Sequence, residues 1–206
     1  MSISFNIDAW AAWAPGLDTQ DAWRAWAATP TLPVGDAKPD LPEMAPMARR
    51  RVERLGRIAL QAAYRVVEDA HHPLIFASRH GDVVRSTAML RELATEGTVS
   101  PASFSLSVHN AIGALFSIVR GDTARLSAVS AGCETAEHAL VEACGLLHEG
   151  ADKVVVVMYD EPPPAVHDSY QDEPTASYAW ALRLTRAGEA RHTLTCEAAG
   201  EAATPS

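Results

Sequence analysis

Cys133 lies at a position where a thiol can act as a nucleophile. The apolar run Leu126 to Ala131 precedes it, and an alanine-rich run that ends at Gly150 follows it. This order predicts a strand, a sharp turn at Gly132 and a helix that begins at the cysteine. At a helix N-terminus, unsatisfied backbone N–H groups and the positive end of the helix dipole favour the thiolate. Cys133 is therefore a candidate nucleophile, although the neighbouring Glu134 carboxylate opposes thiolate formation and a cysteine is also a good small core residue.

Two polar residues follow the short apolar run Leu74 to Ala77. Ser78 and His80 would lie at the carboxyl end of a strand, where open α/β sheets place their ligands. However, the sequence has no G-x-S-x-G elbow, and two residues so close in sequence do not establish a catalytic dyad. A turn whose polar side chains fix the loop geometry is the favoured interpretation.

His109 and Asn110 directly precede the apolar stretch Ala111 to Val119. Asn110 is a good N-cap for a helix over that stretch, which places His109 at the mouth of the helix. A histidine beside a cap is as readily a hydrogen-bonded structural residue as a site residue. The residues alone leave both interpretations open.

The elements that position these residues alternate between short apolar runs and amphipathic segments. Strands are expected at 74–77, 126–129, 153–159 and 178–184, with 191–197 as a partner of the last, and helices at 47–70, 83–96, 111–119 and 133–150. Strands joined through a long helix require right-handed βαβ crossovers. The pattern therefore predicts an α/β fold.

The first 46 residues differ in composition from the rest of the chain. Trp10 and Trp13 are three apart, as are Trp23 and Trp26, so each pair is expected to share one face of a short helix. Five prolines between positions 30 and 46 predict an extended linker. Anchoring of this arm onto the domain is favoured over a ligand-stacking role for the tryptophans. The predicted organisation is an arm and linker at 1–46, a domain at 47–197 and a flexible tail at 198–206.

The predicted helix over 47–70 carries a basic face. Its arginines are Arg49, Arg50, Arg51, Arg54 and Arg57. Such a face is usually only solvated, but in a protein this acidic it can also dock an acidic carrier protein. Arg50, Arg54 and Arg57 are the candidate docking residues.

Composition excludes several classes of function. Among 206 residues, 17 Lys and Arg stand against 26 Asp and Glu, a formal charge of −9, which disfavours nucleic-acid and anionic-membrane partners. The three cysteines show no metal-binding spacing, and no glycine-rich phosphate-binding motif is present, so neither a metal nor a cofactor is predicted. No apolar run approaches the roughly 20 residues of a membrane span. Because the N-terminus does not resemble a targeting segment either, a cytoplasmic location is expected.

The segment around Cys133 resembles the β-ketoacyl synthase family of the thiolase superfamily. In that family the nucleophilic cysteine begins a helix that closes on a glycine and runs into a buried strand. The matching series here is Cys133, Ala136, Ala139, Leu140, Ala143, Leu147, Gly150 and the run 154–157. Three further stretches, at 49–63, 100–111 and 179–184, fit the same template. The sequence departs from the family at Glu134 and Thr135, where the family prefers small residues.

The resemblance implies a thiolase-like half domain with a mixed, mostly parallel sheet flanked by helices on both faces. Full-length synthases continue into a second half, which supplies two histidines, or a histidine and an asparagine, for decarboxylation and carbon–carbon bond formation. A half-length protein would be a chain-length-factor-like subunit, non-catalytic or incomplete alone. It would pair as a heterodimer with a full-length β-ketoacyl synthase. It would also work with an acyl carrier protein in fatty-acid or polyketide synthesis, including aryl polyene pigments.

The resemblance also assigns residues of this sequence. It implies Cys133 as the nucleophile position and His109, Asn110 and Phe116 as residues of the acyl pocket. It further implies that the strand at 126–129 runs antiparallel to its mate across the dimer axis.

Two other functions remain open from the sequence. One is a free-standing acyltransferase or thioesterase that uses Cys133, with His109 or His80 as its base. The other is an acyl-binding or scaffolding module of the same fold without chemistry. Fold resemblance alone does not separate these functions, because one fold carries many activities.

Overall fold

Six β-strands in the described part of the chain form one mixed sheet, and helices lie on both of its faces. The computed structural model describes residues 2–68, 71–186 and 191–195. In chain order the elements are β1 (Ser2–Trp13), α1 (Gln20–Ala28), α2 (Pro46–Arg49), α3 (Arg54–Tyr64), β2 (Leu74–Ala77), α4 (Val83–Glu96), α5 (Pro101–Ser105), α6 (Ala111–Arg120), β3 (Leu126–Val129), α7 (Thr135–Glu149), β4 (Lys153–Asp160), β5 (Tyr178–Arg186) and β6 (His192–Thr195). Two 3₁₀ helices lie at Gly132–Glu134 and Ala165–Tyr170.

The strand order in the sheet is β3-β2-β4-β5-β1-β6. β2 pairs in parallel with β3 and β4, whereas β4–β5, β5–β1 and β1–β6 are antiparallel. The predicted mixed sheet with helices on both faces is confirmed. Four of the six described strands, β1, β2, β3 and β4, run in the same direction, while three of the five pairings between neighbouring strands are antiparallel because β5 and β6 run the other way. The parallel pairs are joined through helices, as a parallel crossover requires: α4, α5 and α6 lie between β2 and β3, and α7 lies between β3 and β4.

Several elements have the bounds that the sequence pattern predicts. β2, β3 and α4 begin and end at the expected residues. The start of α4 is fixed by Asp82, whose side chain accepts a hydrogen bond from the Arg85 N–H at 3.0 Å. Its end is fixed by Gly97, which adopts the left-handed conformation with φ 71°. Local capping signals therefore determine this helix.

A β-bulge in β1 turns its side chains from one face of the sheet to the other. The register against β5 shifts between Ile7 and Ala9. Phe5 and Ile7 pack on the α7 side of the sheet, whereas Ala9 and Trp13 pack on the α3 side. One extra residue reverses the in–out alternation of a strand. β1 therefore contributes to both layers of the core.

The position of β1 corrects two predictions about the N-terminal segment. Trp10 and Trp13 lie on a strand rather than on a helix, and residues 2–13 belong to the sheet rather than to an arm outside it. Strand pairing with β5 provides the tertiary contacts that override the local helical pattern. Trp23 and Trp26 do lie on a helix, α1, with ring centroids 5.2 Å apart. The predicted tail at 198–206 falls outside the described residues.

Two further expectations about elements are wrong. β6 pairs with β1 and not with β5, so β1 lies between them. The helix predicted over 47–70 is broken into α2 and α3. At this break the Arg57 guanidinium donates to the carbonyls of Val52 at 3.2 Å and Arg49 at 3.4 Å. These bonds satisfy backbone groups that an uninterrupted helix would have paired.

Burial of β2 and β4 on both faces forms the centre of the protein. Phe76 and Tyr159 pack under α3 and α6, while Val156 and Leu147 belong to the core on the α7 side. Every residue of β2, and every residue of β4 after Lys153, is buried. Such continuous apolar runs are typical of strands covered by helices on both sides.

A substitution in α6 tests this core. Phe116→Ala should lower the free energy of unfolding by about 3–5 kcal/mol, because a fully buried ring is replaced by a cavity. Ile118→Ala is the matched control on the same helix, since Ile118 is 74% exposed, and it should change stability by less than about 0.5 kcal/mol. Urea denaturation followed by circular dichroism measures both. Equal effects of the two substitutions would contradict the core position of Phe116.

Candidate functional site

The carboxyl ends of β2, β3 and β4 meet at one edge of the sheet, because these three strands are parallel. The turn Ser78–Gly81 follows β2, the turn Ser130–Cys133 follows β3, and Asp160 ends β4. The Ser130 hydroxyl donates to the Arg79 carbonyl at 3.0 Å, which joins the first two turns. Open α/β sheets place ligands at this edge, so it is the candidate site.

Asp160 is the buried centre of this edge. Its carboxylate accepts hydrogen bonds from the Ser78 hydroxyl at 2.7 Å, the Arg79 N–H at 2.9 Å and the His80 N–H at 3.2 Å. The Gly81 N–H donates in turn to the Ser78 hydroxyl at 2.7 Å. Burial raises the pKa of Asp160, and the three donors oppose that rise without cancelling it. Ser78 and His80 therefore form a structural turn, as the favoured interpretation expects.

His109 rests against the same turn. Its Nε2 lies 2.9 Å from the Ser78 carbonyl oxygen, and because a carbonyl can only accept, Nε2 must carry the proton. Gly81 has φ +63°, and a Cβ there would lie 3.1 Å from the His109 ring. The turn thus needs glycine for its conformation and for the close approach of the imidazole. His109 is held in place as a hydrogen-bond donor.

Asn110 and Phe116 differ in their surroundings. Asn110 is exposed at the N-cap position of α6, but its side chain makes no capping hydrogen bond. Phe116 is fully buried, with its ring centroid 4.9 Å from that of Tyr64 and 5.8 Å from that of Phe76. This aromatic cluster places the ring of Phe116 in the core, and its role as a residue of the acyl pocket stays a prediction.

Cys133 lies in the 3₁₀ turn that precedes α7 and is exposed. The predicted order of strand, turn and helix is found, but α7 itself begins two residues later, at Thr135. The Thr135 hydroxyl accepts from the Ala131 N–H at 2.9 Å and donates to the Gly132 carbonyl at 2.7 Å. Within the described residues, Cys133 makes no hydrogen bond to a histidine. The site therefore brings the thiol to the predicted edge without pairing it with a base.

Two of the three predicted docking arginines have structural roles. Arg54 donates to the Glu161 carboxylate at 2.9 Å, to the Ser177 hydroxyl at 2.6 Å and to the Gly35 carbonyl at 2.9 Å. Arg57 donates to backbone carbonyls of the same proline-rich segment and of the α2–α3 break. These guanidinium groups are bound within the chain, which disfavours Arg54 and Arg57 as docking residues, and the docking of a carrier protein stays a prediction. Arg50 remains exposed.

A cavity of about 170 Å³ opens at the same edge of the sheet. Its lining residues are Arg79, His80, Asp160, Glu161, Glu173, Pro174, Thr175, Ala176 and Tyr178. Burial raises the pKa of Glu161, and the neighbouring Arg54 opposes this effect. Burial also raises the pKa of Tyr178. The sequence reasoning missed Asp160 and Glu161, although two acids directly after an apolar strand are a signal for buried, partnered carboxylates at a strand end.

A large part of α4 and α5 is not covered by any other described part of the chain. Thr87 is the single buried residue of the fourteen in α4. Five large apolar side chains of α4, α5 and the following turn are exposed by 39–61%: Val84, Leu90, Leu93, Phe104 and Val108. At the end of the sheet, β3 pairs with β2 and has no other partner among the described strands. An apolar patch and an open strand edge are typical of an interaction surface.

Two other kinds of site are not found in the described part of the chain. No group of three or more His, Cys, Asp or Glu side chains is placed to hold a metal ion there. No helix among those residues is long and apolar enough to cross a membrane.

The chain matches known proteins over most of its length. The family model of the β-ketoacyl synthase N-terminal domain matches residues 23–205. A chain from the complex of the ketosynthase ApeO with its chain length factor ApeC, from Xenorhabdus doucetiae, is 30% identical with a TM-score of 0.80. That likeness covers 91% of this chain and 81% of the other. No curated protein matches the sequence.

Two more distant structures share the fold. The ishigamide ketosynthase/chain length factor is 18% identical with a TM-score of 0.72, over 91% of this chain and 63% of that one. A type II PKS acyl-carrier protein in complex with its ketosynthase bound to the hexaketide, AntDE:AntF, gives 13% identity and a TM-score of 0.68, over 90% and 63%. The chain therefore spans less than two thirds of the length of these two.

Replacement of Asp160 tests the centre of the site. Asp160→Asn should lower the free energy of unfolding by about 1–3 kcal/mol, because an amide cannot accept all three hydrogen bonds and leaves a buried donor unpaired. Asp152→Asn is the control, since Asp152 is exposed. Thermal and urea unfolding of the three proteins measure the effect, and equal stability of wild type and Asp160→Asn would contradict it.

The same pair of proteins gives an expected pH dependence. The raised pKa of Asp160 means that the folded state holds its proton more tightly than the unfolded state, whose ordinary value is 3.8. The stabilisation that the folded protein gains from holding this proton is fully present below pH 3.8. It is lost as pH rises through the pKa of Asp160 in the folded state. The stability difference between wild type and Asp160→Asn should therefore shrink as pH rises through this range.

Proposed function

The chain belongs to the β-ketoacyl synthase family, and from that premise we propose that it is a chain-length-factor-like subunit that pairs with a full-length 3-oxoacyl-ACP synthase. The observation that carries the proposal is the likeness to a chain of the ApeO–ApeC complex over 91% of this chain and 81% of that chain. In this role the protein serves fatty-acid or polyketide synthesis, aryl polyenes included. Its proposed location is the cytoplasm.

The geometry around Cys133 supports a subunit that leaves the condensation to its partner. Decarboxylative condensation needs a nucleophile, a base and donors that stabilise the enolate. Here the exposed thiol has no histidine bonded to it among the described residues, and His109 already donates its Nε2 proton to the Ser78 carbonyl. The partner synthase would supply the histidines that the reaction requires. A free-standing acyltransferase or thioesterase is disfavoured for the same reason.

The proposed contact with the synthase lies on β3 and on the exposed side of α4 and α5. An open strand edge offers unpaired backbone groups to a second strand. Covering the exposed apolar side chains of α4 and α5, such as Leu93 and Phe104, with a partner is favourable because it removes apolar surface from water. The turn Ser130–Cys133 of the candidate site follows β3 directly, so a partner strand paired with β3 would lie beside this turn.

Fewer arginines are available for the proposed contact with an acyl carrier protein than the sequence indicates. Because Arg54 and Arg57 are occupied by carbonyl and carboxylate groups, Arg50 remains as the candidate, next to the exposed Arg51 and the 83%-exposed Met47. A cationic and apolar surface fits an acidic carrier protein. Carrier-protein binding by wild type and Arg50→Glu tests this surface.

Disruption of the apolar patch tests the heterodimer. Phe104→Glu should weaken binding to the full-length synthase at least about tenfold, because a charge would enter a desolvated contact. Val166→Glu is the matched control, since Val166 is 59% exposed, close to the 61% of Phe104, but lies in the 3₁₀ helix between β4 and β5. Co-purification and isothermal titration with the synthase of the same gene neighbourhood measure both. Unchanged binding of Phe104→Glu would reject this contact surface.

Removal of the thiol separates a subunit role from a catalytic one. Cys133→Ala should keep product formation by the synthase pair within about twofold of wild type, because the variant removes only an exposed side chain. Intact-mass spectrometry after incubation with an acyl-carrier thioester provides the second readout. An acyl adduct on wild type alone, together with loss of product, would instead support the acyltransferase alternative.

A further inference from the structure

The segment between β4 and β5 is attached firmly at its two ends. Glu161, at its start, accepts from the Arg54 guanidinium at 2.9 Å, and Ser177, at its end, accepts from the same group at 2.6 Å. Arg54 is the first residue of α3, whose residues Leu55 and Ile58 belong to the core. One guanidinium therefore fixes both ends of a long connection at the same place.

The middle of the segment is held by side chains. Arg79 donates to Asp172 at 2.8 Å and to Glu173 at 2.6 Å, and the Thr87 hydroxyl lies 2.9 Å from His167 Nε2. The backbone hydrogen bonds described for residues 162–176 join residues within the segment, as between His167 N–H and the Pro164 carbonyl. No strand or long helix secures it against the sheet edge.

The segment also forms one wall of the cavity at the carboxyl edge. Its residues 173–176 line the cavity from one side, and Asp160 and Tyr178 line it from the other. The attachment to Arg79 thus closes a space next to the buried Asp160 carboxylate. Displacement of residues 162–176 would open this cavity to solvent.

We propose that residues 162–176 form a hinged lid over the cavity, that the two ion pairs of Arg79 hold it shut, and that its opening admits water to Asp160. Ser177 and Glu161 are the fixed hinge ends. The carboxylates that Arg79 binds are 65% and 48% exposed, and exposed ion pairs contribute little stability and are screened by salt. The lid therefore opens locally, without unfolding of the domain.

Lid opening is coupled to the turn that holds His109. Asp160 binds the N–H groups of Arg79 and His80 and the hydroxyl of Ser78, and the Ser78 carbonyl binds His109. Water that reaches the Asp160 carboxylate competes with these donors. The lid thus regulates the rigidity of the candidate site, and this inference does not depend on the identity of any partner subunit.

Hydrogen–deuterium exchange of the isolated full-length chain tests the lid. In wild type, exchange of peptides within 162–176 should accelerate when salt rises from about 0.01 M to about 1 M, because the Debye length falls from about 30 Å to about 3 Å. In Arg79→Gln the same peptides should exchange roughly five- to tenfold faster at low salt and no longer respond to salt. In wild type, exchange of the Arg79 and His80 amides should accelerate with salt as lid exchange does, since both amides donate to Asp160.

Arg85→Gln is the matched control. Arg85 is buried to a similar degree, with 12% of its side chain exposed against 15% for Arg79, and it also pairs with two carboxylates, Glu53 and Asp82. Its described hydrogen bonds and ion pairs are to Asp82 and Glu53 and not to residues 162–176, so lid exchange in this variant should equal that of wild type. Equal acceleration in both variants, or no acceleration in Arg79→Gln, would overturn the proposal. If Arg79→Gln does not fold, the double variant Asp172→Asn, Glu173→Gln removes the same two ion pairs by changing their exposed carboxylates. The same acceleration of lid exchange is expected in it, and its absence would overturn the proposal.

Discussion

The buried carboxylate of Asp160 is the interaction on which the carboxyl edge of the sheet depends. It joins the end of β4 to the turn after β2, and the residues it links are 82 positions apart in sequence. Through the Ser78 carbonyl it fixes His109, and through the Arg79 carbonyl it reaches Ser130 and the turn of Cys133. A buried carboxylate with three donors is costly to disturb, because any lost donor stays unpaired in a low-dielectric surrounding. The edge is therefore a rigid platform.

The rest of the fold keeps that platform in place. β2 and β4 are covered on both faces, and they set the register of the central sheet because the apolar side chains on each face must stay buried. The bulge in β1 lets a single N-terminal strand fill gaps in both layers of the core. Arg54 then attaches the proline-rich segment and both ends of the β4–β5 connection to α3. Arginines that the sequence predicts as a docking surface for a partner thus bind groups of the same chain.

The family assignment and the geometry of the site both support the proposed subunit role. The chain belongs to the β-ketoacyl synthase family, and the thiol of Cys133 is exposed and has no hydrogen bond to a histidine among the described residues. At the same time, α4 and α5 expose several large apolar side chains, which is typical of a surface that a partner covers. The proposed subunit, whose chemistry a synthase partner would complete, accounts for both observations. A self-sufficient acyltransferase accounts for neither.

The sequence by itself determined the features that depend on neighbouring residues. The bounds of β2, β3 and α4, the turn at Gly132 and the family membership follow from apolar runs, caps and motif spacing. Tertiary structure alone decided the strand character of β1, the core position of Phe116 and the use of Arg54 and Arg57. Each of these depends on which distant groups lie within a few ångströms. Pairing with β5, two aromatic neighbours and the carbonyls of a proline-rich loop are contacts that no local pattern specifies, because only the folded chain brings them together.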